Sequence, residues 1–223
     1  MNWKQFWNNK ASASEEAAQV GRIMAGKPLD ERVLEKIAKQ IQTQLHVKPS
    51  DSLLDVCCGN AQLSELLLPY CQEVVGVDFS EKLIEEANKK TAGRISLHVA
   101  DAAHVALNQS FDKVLLYFSF QYFETYEYGK KVIANLLAHA KPGALILIGD
   151  ICDQRKFFSY YHSPKKYLHY LKQKMQNQQD MGKFWHPAEL DQICKELGVR
   201  GNLQEQEAWQ PYAHYRFDYL IEK

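Results

Sequence analysis

Five apolar runs, separated by helical patterns, constrain this chain more than anything else in it. They are "SLLDVC" (52–57), "EVVGVDF" (73–79), "ISLHVAD" (95–101), "KVLLYFSF" (113–120) and "ALILIGDI" (144–151). Each is nearly continuous rather than alternating, which predicts strands buried on both faces. Helical patterns lie between them, notably "SEKLIEEANKK" behind the N-cap Ser80 and "YGKKVIANLLAHA" (128–140), which Lys141, Pro142 and Gly143 stop. Strands joined through helices must cross over and lie parallel, with helices on both faces. Two later runs, "NLQEQEAW" and "YRFDYLIEK", are joined by the short "QPYAH" and read as an antiparallel pair. The expectation is an α/β, doubly wound sheet of seven strands, mostly parallel, closed by that C-terminal pair.

Residues 14–45 read as helical, with Val33, Leu34, Ile37, Ile41 and Leu45 on one face and breaks expected at Gly21 and Gly26. Residues 1–45 are therefore taken as an N-terminal helical cover, with Trp3, Phe6 and Trp7 packing as its amphipathic part. A main domain follows over 46–223. Its rhythm breaks at 152–184, a polar and aromatic insertion expected to form a helical lid over the acceptor. Within it, "SPKKYLHYLKQKMQ" reads as a capped helix with Leu168, Leu171 and Met175 on one face. "HPAELDQICKELGV" then resumes the helical pattern.

Composition narrows the function. The 27 basic and 27 acidic residues cancel, so bulk charge gives no reason to expect nucleic acid or an anionic membrane as partner. No stretch approaches the roughly 18 apolar residues of a membrane span. The five cysteines show no metal-binding spacing, which predicts reduced thiols, no metal and a cytoplasmic protein. The oligomeric state stays open.

The informative corner is "DVCCGNA", at the carboxyl end of the first strand. Open parallel sheets bind ligands beyond the carboxyl ends of their strands, where strand order reverses. Gly59 permits a tight turn and a close approach, and Cys57 and Ala61 are small enough to assist. Asp78 follows Asp55 by 23 residues and Asp101 follows Asp78 by another 23, each at a successive strand end. A carboxylate at Asp78 can accept both hydroxyls of a ribose, and one at Asp101 can meet an adenine amino group. A dinucleotide site would want glycine where Cys58, Asn60 and Leu63 stand. A nucleoside ligand without phosphates fits better.

These motifs, as an ordered set, resemble the class I S-adenosylmethionine-dependent methyltransferases. "LLDVCCGNAQL", "VVGVDFS", "VADA", "FDKVLLYFSF" and "AKPGALILIGD" match the family's successive motifs, and "FWHPAELDQICKELGV" its late helix. Two positions the family fills with glycine are Cys57 and Ala61. The resemblance covers residues 45–223 and implies a Rossmann-like fold and S-adenosylmethionine as cofactor. It implies that Asp55 orders the turn and meets the cofactor's amino group, and that Gly59 backs the methionine portion. Asp78 would hold the ribose, Phe79 pack on adenine, Asp101 and Ala102 meet its edge, and Phe118 lie beneath the sulfonium. Cys57, Asn60 and Ser80 join the expected cofactor-binding set, and Arg22 is expected to meet a carboxylate.

Methyl transfer to a weak nucleophile can require a base. Asp150, ending the fifth strand, is the first candidate for a base or substrate contact, followed by His162 and His186. His98, inside an apolar strand, reads as a packed neutral imidazole. The insertion carries Lys165, Lys166, Lys172 and Lys174 among aromatic residues. That mixture favours a small acceptor that is sugar-derived or natural-product-like, anionic, and methylated at oxygen. Methylation of nitrogen or of tRNA, and a non-catalytic cofactor-binding scaffold, are the competing expectations.

Overall fold

The computed structural model describes residues 2–24, 26–176 and 180–223. Its centre is a sheet of seven strands: β3 (Ser52–Val56), β4 (Glu73–Asp78), β5 (Ser96–Val99), β6 (Phe111–Tyr117), β7 (Ala140–Cys152), β8 (Arg200–Glu205) and β9 (Arg216–Glu222). Their order is β5-β4-β3-β6-β7-β9-β8. Pairings among β3 to β7 are parallel, whereas β9 runs antiparallel to β7 and to β8. The predicted architecture is present. Strand order reverses between β3 and β6, and that reversal opens a crevice at their carboxyl ends.

The sheet is covered on both faces. Leu54, Val56, Val114, Ile146 and Ile148 point to one side, where α6 (Tyr126–His139) and α9 (Pro187–Glu196) pack. Leu53, Leu115, Tyr117 and Leu147 point to the other, against α3 (Glu31–Gln44) and α4 (Gln62–Leu67). Alternate residues of one strand thus serve opposite cores, which is why the runs are apolar throughout. Close packing fixes Gly149 in β7: a Cβ there would lie 1.9 Å from Cε2 of Tyr117.

Several boundaries differ from the sequence reading. The helical stretch predicted for 14–45 is interrupted before α3. A four-residue α2 (Glu16–Gln19) is followed by a hairpin of β1 (Ile23–Met24) and β2 (Lys27–Pro28), with Gly21 at φ +68°. A Cβ on Gly21 would meet Trp7 at 3.0 Å, so backbone freedom and proximity both break the helix there. Lys141, Pro142 and Gly143 belong to β7, which begins as soon as α6 ends. The strand β5 is an edge, and His98 on it is exposed with its Nε2 3.0 Å from the Ser96 hydroxyl. The packed imidazole expected there is corrected: an edge strand lacks the neighbour that would bury it.

The insertion folds as α7 (Phe157–Tyr160) and α8 (Pro164–Met175). Ser163 caps α8 by accepting from the Lys166 amide. Phe157, Tyr161, Tyr170 and Phe184 form an aromatic cluster that Tyr160 and Tyr215 extend. The face predicted to close over an acceptor, with Leu168, Leu171 and Met175, instead points to solvent. Part of the predicted insertion, 177–179, lies outside the described residues. Among the described residues, no helix is long and apolar enough to cross a membrane.

Candidate active site

A cavity of about 360 Å³ opens at the carboxyl ends of β3, β4 and β6, next to the strand-order reversal. Its floor is the corner at 57–61. Here the backbone turns through three left-handed residues, Cys57 (φ +62°), Gly59 (φ +59°) and Ala61 (φ +60°). Only the middle one is glycine; a Cβ there would stand 2.8 Å from Cγ1 of Val20. Such conformations cost roughly 1–2 kcal/mol in residues bearing a Cβ, and they gather at functional sites. Phe118 beyond β6 (φ +67°) and Asp150 in β7 (φ +59°) continue the pattern.

Asp78 ties this corner to the next strand end. Its Oδ2 accepts the Gly59 amide and its Oδ1 the Ser80 amide, each at 2.9 Å. Burial pushes its carboxyl up to about 6, and the amides of Ser80, Gly59 and Phe79 pull the other way. Asp101 faces the same cavity. Its Oδ2 accepts the Tyr128 hydroxyl at 2.5 Å and its Oδ1 the Ala103 amide at 2.9 Å, with His104 Nδ1 at 3.2 Å. Phe79, Ala102, Cys57, Gly59 and Phe118 also line the cavity, as expected of them.

Arg22 enters from the loop after α2 and lies 4.7 Å above the Phe118 ring. Its Nη1 donates to Gln62 at 2.7 Å, while its buried Nε has no partner among the described residues. Burial lowers its pKa to about 10, with Asp55 and Asp150 opposing, so the guanidinium stays charged. An orphaned cationic donor facing a cavity is a place for a carboxylate.

Asp55, Asn60 and Ser80 lie behind the wall. Asp55 accepts the Ser64 hydroxyl at 2.5 Å, and burial pushes its carboxyl up to about 7, with Ser64 and Arg22 opposing. Asn60 donates to the Glu16 carbonyl and the Gln19 side chain, both at 2.9 Å, and so docks α2 on the corner. Ser80 caps α5 (Glu81–Thr91) and donates to Asn8 at 2.6 Å. Burial raises the thiols of Cys57 and Cys58 well above their usual range, which leaves both protonated.

The structure assigns other work to the three expected catalytic residues, none of which lines the cavity. Asp150 is buried in an ion pair with Arg216 at 2.7 Å, and its amide donates to Asp218. His162 is exposed on the insertion. His186 accepts the Ala188 amide at 3.2 Å and completes a capping box with Glu189 at the start of α9. A proton-transfer role has no geometry behind it at any of the three.

The wall missing from the sequence reading comes from α1 (Trp3–Lys10) and from 122–128. Trp3 and Trp7 line the cavity and pack on Tyr122 at 4.5 and 5.4 Å between ring centroids. Trp3 donates to Glu124 at 3.0 Å, and Lys4 pairs with Glu81 at 2.6 Å. The spacing of Trp3, Phe6 and Trp7 marks an amphipathic cover; what it covers is legible only in three dimensions.

The comparisons with known proteins agree with this geometry. Residues 53–143 match the family described as "Methyltransferase domain". A demethylmenaquinone methyltransferase of Staphylococcus haemolyticus is 32% identical over 115 residues, 49% of this chain and 47% of that protein. A ubiquinone biosynthesis O-methyltransferase of Coxiella burnetii is 28% identical over 163 residues, 73% of this chain and 68% of that one. The aligned stretch thus spans about half the length of the first relative. Among solved structures, the N-methyltransferase NodS of Bradyrhizobium japonicum, in complex with S-adenosyl-L-homocysteine, superposes with a TM-score of 0.68 at 14% identity. That superposition covers 100% of this chain and 99% of NodS. A methyltransferase of Clostridium acetobutylicum gives 0.66 at 14% identity, over 87% of this chain and 92% of that one. Strand order, the acidic strand ends around a nucleoside-sized cavity and the matched domain converge: the chain belongs to the class I S-adenosylmethionine-dependent methyltransferases.

Proposed function

We propose that this chain transfers the methyl group of S-adenosylmethionine to a hydroxyl oxygen on a small, flat-ringed acceptor. One observation carries the reading: Asp78, Asp101 and the unpartnered Nε of Arg22 surround one cavity above a left-handed corner. The residues present fit the cofactor. Asp78 keeps lone pairs for a ribose diol after accepting two amides. Phe79 and Ala102 offer apolar contact to a base, and Asp101, oriented by Tyr128, faces its amino edge. Arg22 suits the methionine carboxylate, and Asp55 acts through the corner it supports.

When bound, the cofactor supplies a methyl group activated by a sulfonium, displaced in line by the acceptor. The chain's part is to align the acceptor and exclude water. Trp3, Trp7 and Tyr122 form an aromatic wall for that purpose, which suits a planar ring. No histidine or lysine is among the described cavity-lining residues, and Asp78 and Asp101 are committed to backbone and Tyr128 donors. Such a site favours a hydroxyl that ionises readily, phenolic or enolic, over an aliphatic sugar alcohol. The quinone-pathway names of two relatives support the same acceptor class. The insertion's lysines, which in sequence favoured an anionic acceptor, line no part of the cavity.

Calorimetry with S-adenosylhomocysteine tests the cofactor, and labelled methyl transfer to catechols, hydroquinones, hydroxy acids, sugars and tRNA tests the acceptor. Transfer to the phenolic members is expected. Binding of NAD in place of S-adenosylhomocysteine would overturn the cofactor site, and transfer to sugars or tRNA alone would overturn the acceptor class.

A further inference from the structure

The helix α8 is twelve residues long and buries none of them. Among the described residues, five of the ten exposed large hydrophobic side chains fall between 158 and 175. Phe158 is 69% exposed, Leu168 65% and Met175 87%, with Tyr167 and Leu171 beside them. On a helical wheel Tyr167, Leu168, Leu171 and Met175 share an arc of about 100°. Lys165 and Lys172 border one edge of that stripe and Lys174 the other. The opposite side holds the helix in place. There the Tyr170 ring packs on Phe157 and Tyr161 at 5.0 and 4.9 Å, and Lys166 sits 4.6 Å above Tyr160.

Charge is as one-sided as hydrophobicity. Residues 154–176 contain Arg155, Lys156, Lys165, Lys166, Lys172 and Lys174 and no acidic residue, in a chain whose net charge is zero. Arg155 and Lys156 are paired with Glu205. Lys165 and Lys172 have no ion-pair partner among the described residues.

An apolar stripe edged by free lysines fits an apolar layer bordered by anions. We propose that α8, with Phe158 ahead of it, docks flat on an anionic lipid surface. Leu168, Leu171 and Met175 enter the acyl boundary, and Lys165, Lys172 and Lys174 reach back to the headgroups. A second copy of the chain fits this face poorly, because it would set the same lysines against each other. A groove in an acidic protein takes one helical ridge. Here Phe158, from a separate element, stands 6.1 Å from the Tyr167 ring and widens the stripe into a plane. The contact is peripheral and independent of which acceptor is methylated.

Sedimentation of the full chain with vesicles tests this. Mixed phosphatidylcholine and phosphatidylglycerol vesicles should pellet the protein, pure phosphatidylcholine vesicles should not, and added salt should weaken the binding. Lys165→Gln with Lys172→Gln should lower partitioning about 25-fold, at about fivefold per lysine. Leu168→Ser with Leu171→Ser and Met175→Ser should abolish partitioning while leaving the melting temperature and S-adenosylhomocysteine affinity unchanged. The proposal fails if mixed vesicles leave the protein in solution, or if the serine variant still pellets. It fails equally if neutral vesicles bind as well, if tRNA at physiological salt binds this face instead, or if the serine variant abolishes a dimer in solution.

Discussion

Asp78→Asn separates two tasks that one carboxylate performs. The substitution keeps the side chain's size and removes its charge and one acceptor. In the native protein Oδ1 and Oδ2 each accept one backbone amide at 2.9 Å. An amide side chain keeps one of those bonds and turns its NH₂ toward the other donor, a loss of about 1–3 kcal/mol. Working the other way is the buried charge. Burial pushes the Asp78 carboxyl from 3.8 to about 6. Above that pH the ionised carboxylate destabilises the fold by about 3 kcal/mol, and asparagine carries no such term. The two contributions nearly cancel at pH 8, so the melting temperature of the cofactor-free variant should stay within about 5 °C of the native value. Binding behaves differently. A ribose diol donating to a neutral amide in place of a carboxylate loses about 1.5–3 kcal/mol, roughly ten- to a hundredfold in Kd. Calorimetry with S-adenosylhomocysteine at pH 8, beside a thermal melt, reads both quantities. An affinity within twofold of native refutes the ribose contact; a collapsed melting temperature refutes the cancellation.

Asp55 makes stability depend on pH in a definite sense. Its carboxyl titrates near 7 when folded against an ordinary 3.8, so its stabilising proton is fully bound below 3.8 and lost as pH rises to 7. Asp55→Asn should therefore flatten the decline of the cofactor-free melting temperature between pH 5 and 8, and an unchanged slope rejects the assignment. Gly149→Ala forces a methyl group to within 1.9 Å of the Tyr117 ring and should destabilise the fold by about 3 kcal/mol or more, read in denaturant unfolding. A neutral outcome would show that Tyr117 is free to move. Because Trp3 and Trp7 line the cavity, S-adenosylhomocysteine should change tryptophan fluorescence in the native chain. Replacing both by phenylalanine should remove that change; persistence would place the signal at Trp185 or Trp209.

The sheet was legible because both of its faces are buried. Continuous apolar runs at 52–56, 73–78, 111–117 and 140–152 have few alternatives in a water-soluble fold, and their spacing left room for one crossover each. The N-terminal stretch was less legible. Helical periodicity in 31–44 is real, but the break ahead of it depends on Trp7 approaching Gly21, a contact set by tertiary packing. For α8 the period was read correctly and its direction was not. Periodicity shows which residues share a face and is silent about what that face meets.

The site shows the same division between residue type and residue partner. Asp78 and Asp101 could be singled out because strand ends around a reversal point converge whatever the side chains. Asp150 also ends a parallel strand, and the same logic nominated it. What distinguishes it is Arg216, 66 residues away, whose guanidinium donates to the Asp150 carbonyl at 2.6 Å and pairs with its carboxylate at 2.7 Å. A buried carboxylate with its own cation is held in the fold and kept from the cavity. His186 likewise looked like a base because histidine can be one, yet its position before Pro187 with Glu189 three residues on is a capping pattern. Cys57 and Ala61 carry the remaining lesson. Where the family uses glycine, this chain holds the same left-handed backbone with residues that resist it. Asp78 gripping the Gly59 amide and Asn60 gripping α2 supply the constraint, so the corner's shape is imposed by its neighbours rather than allowed by its own residues.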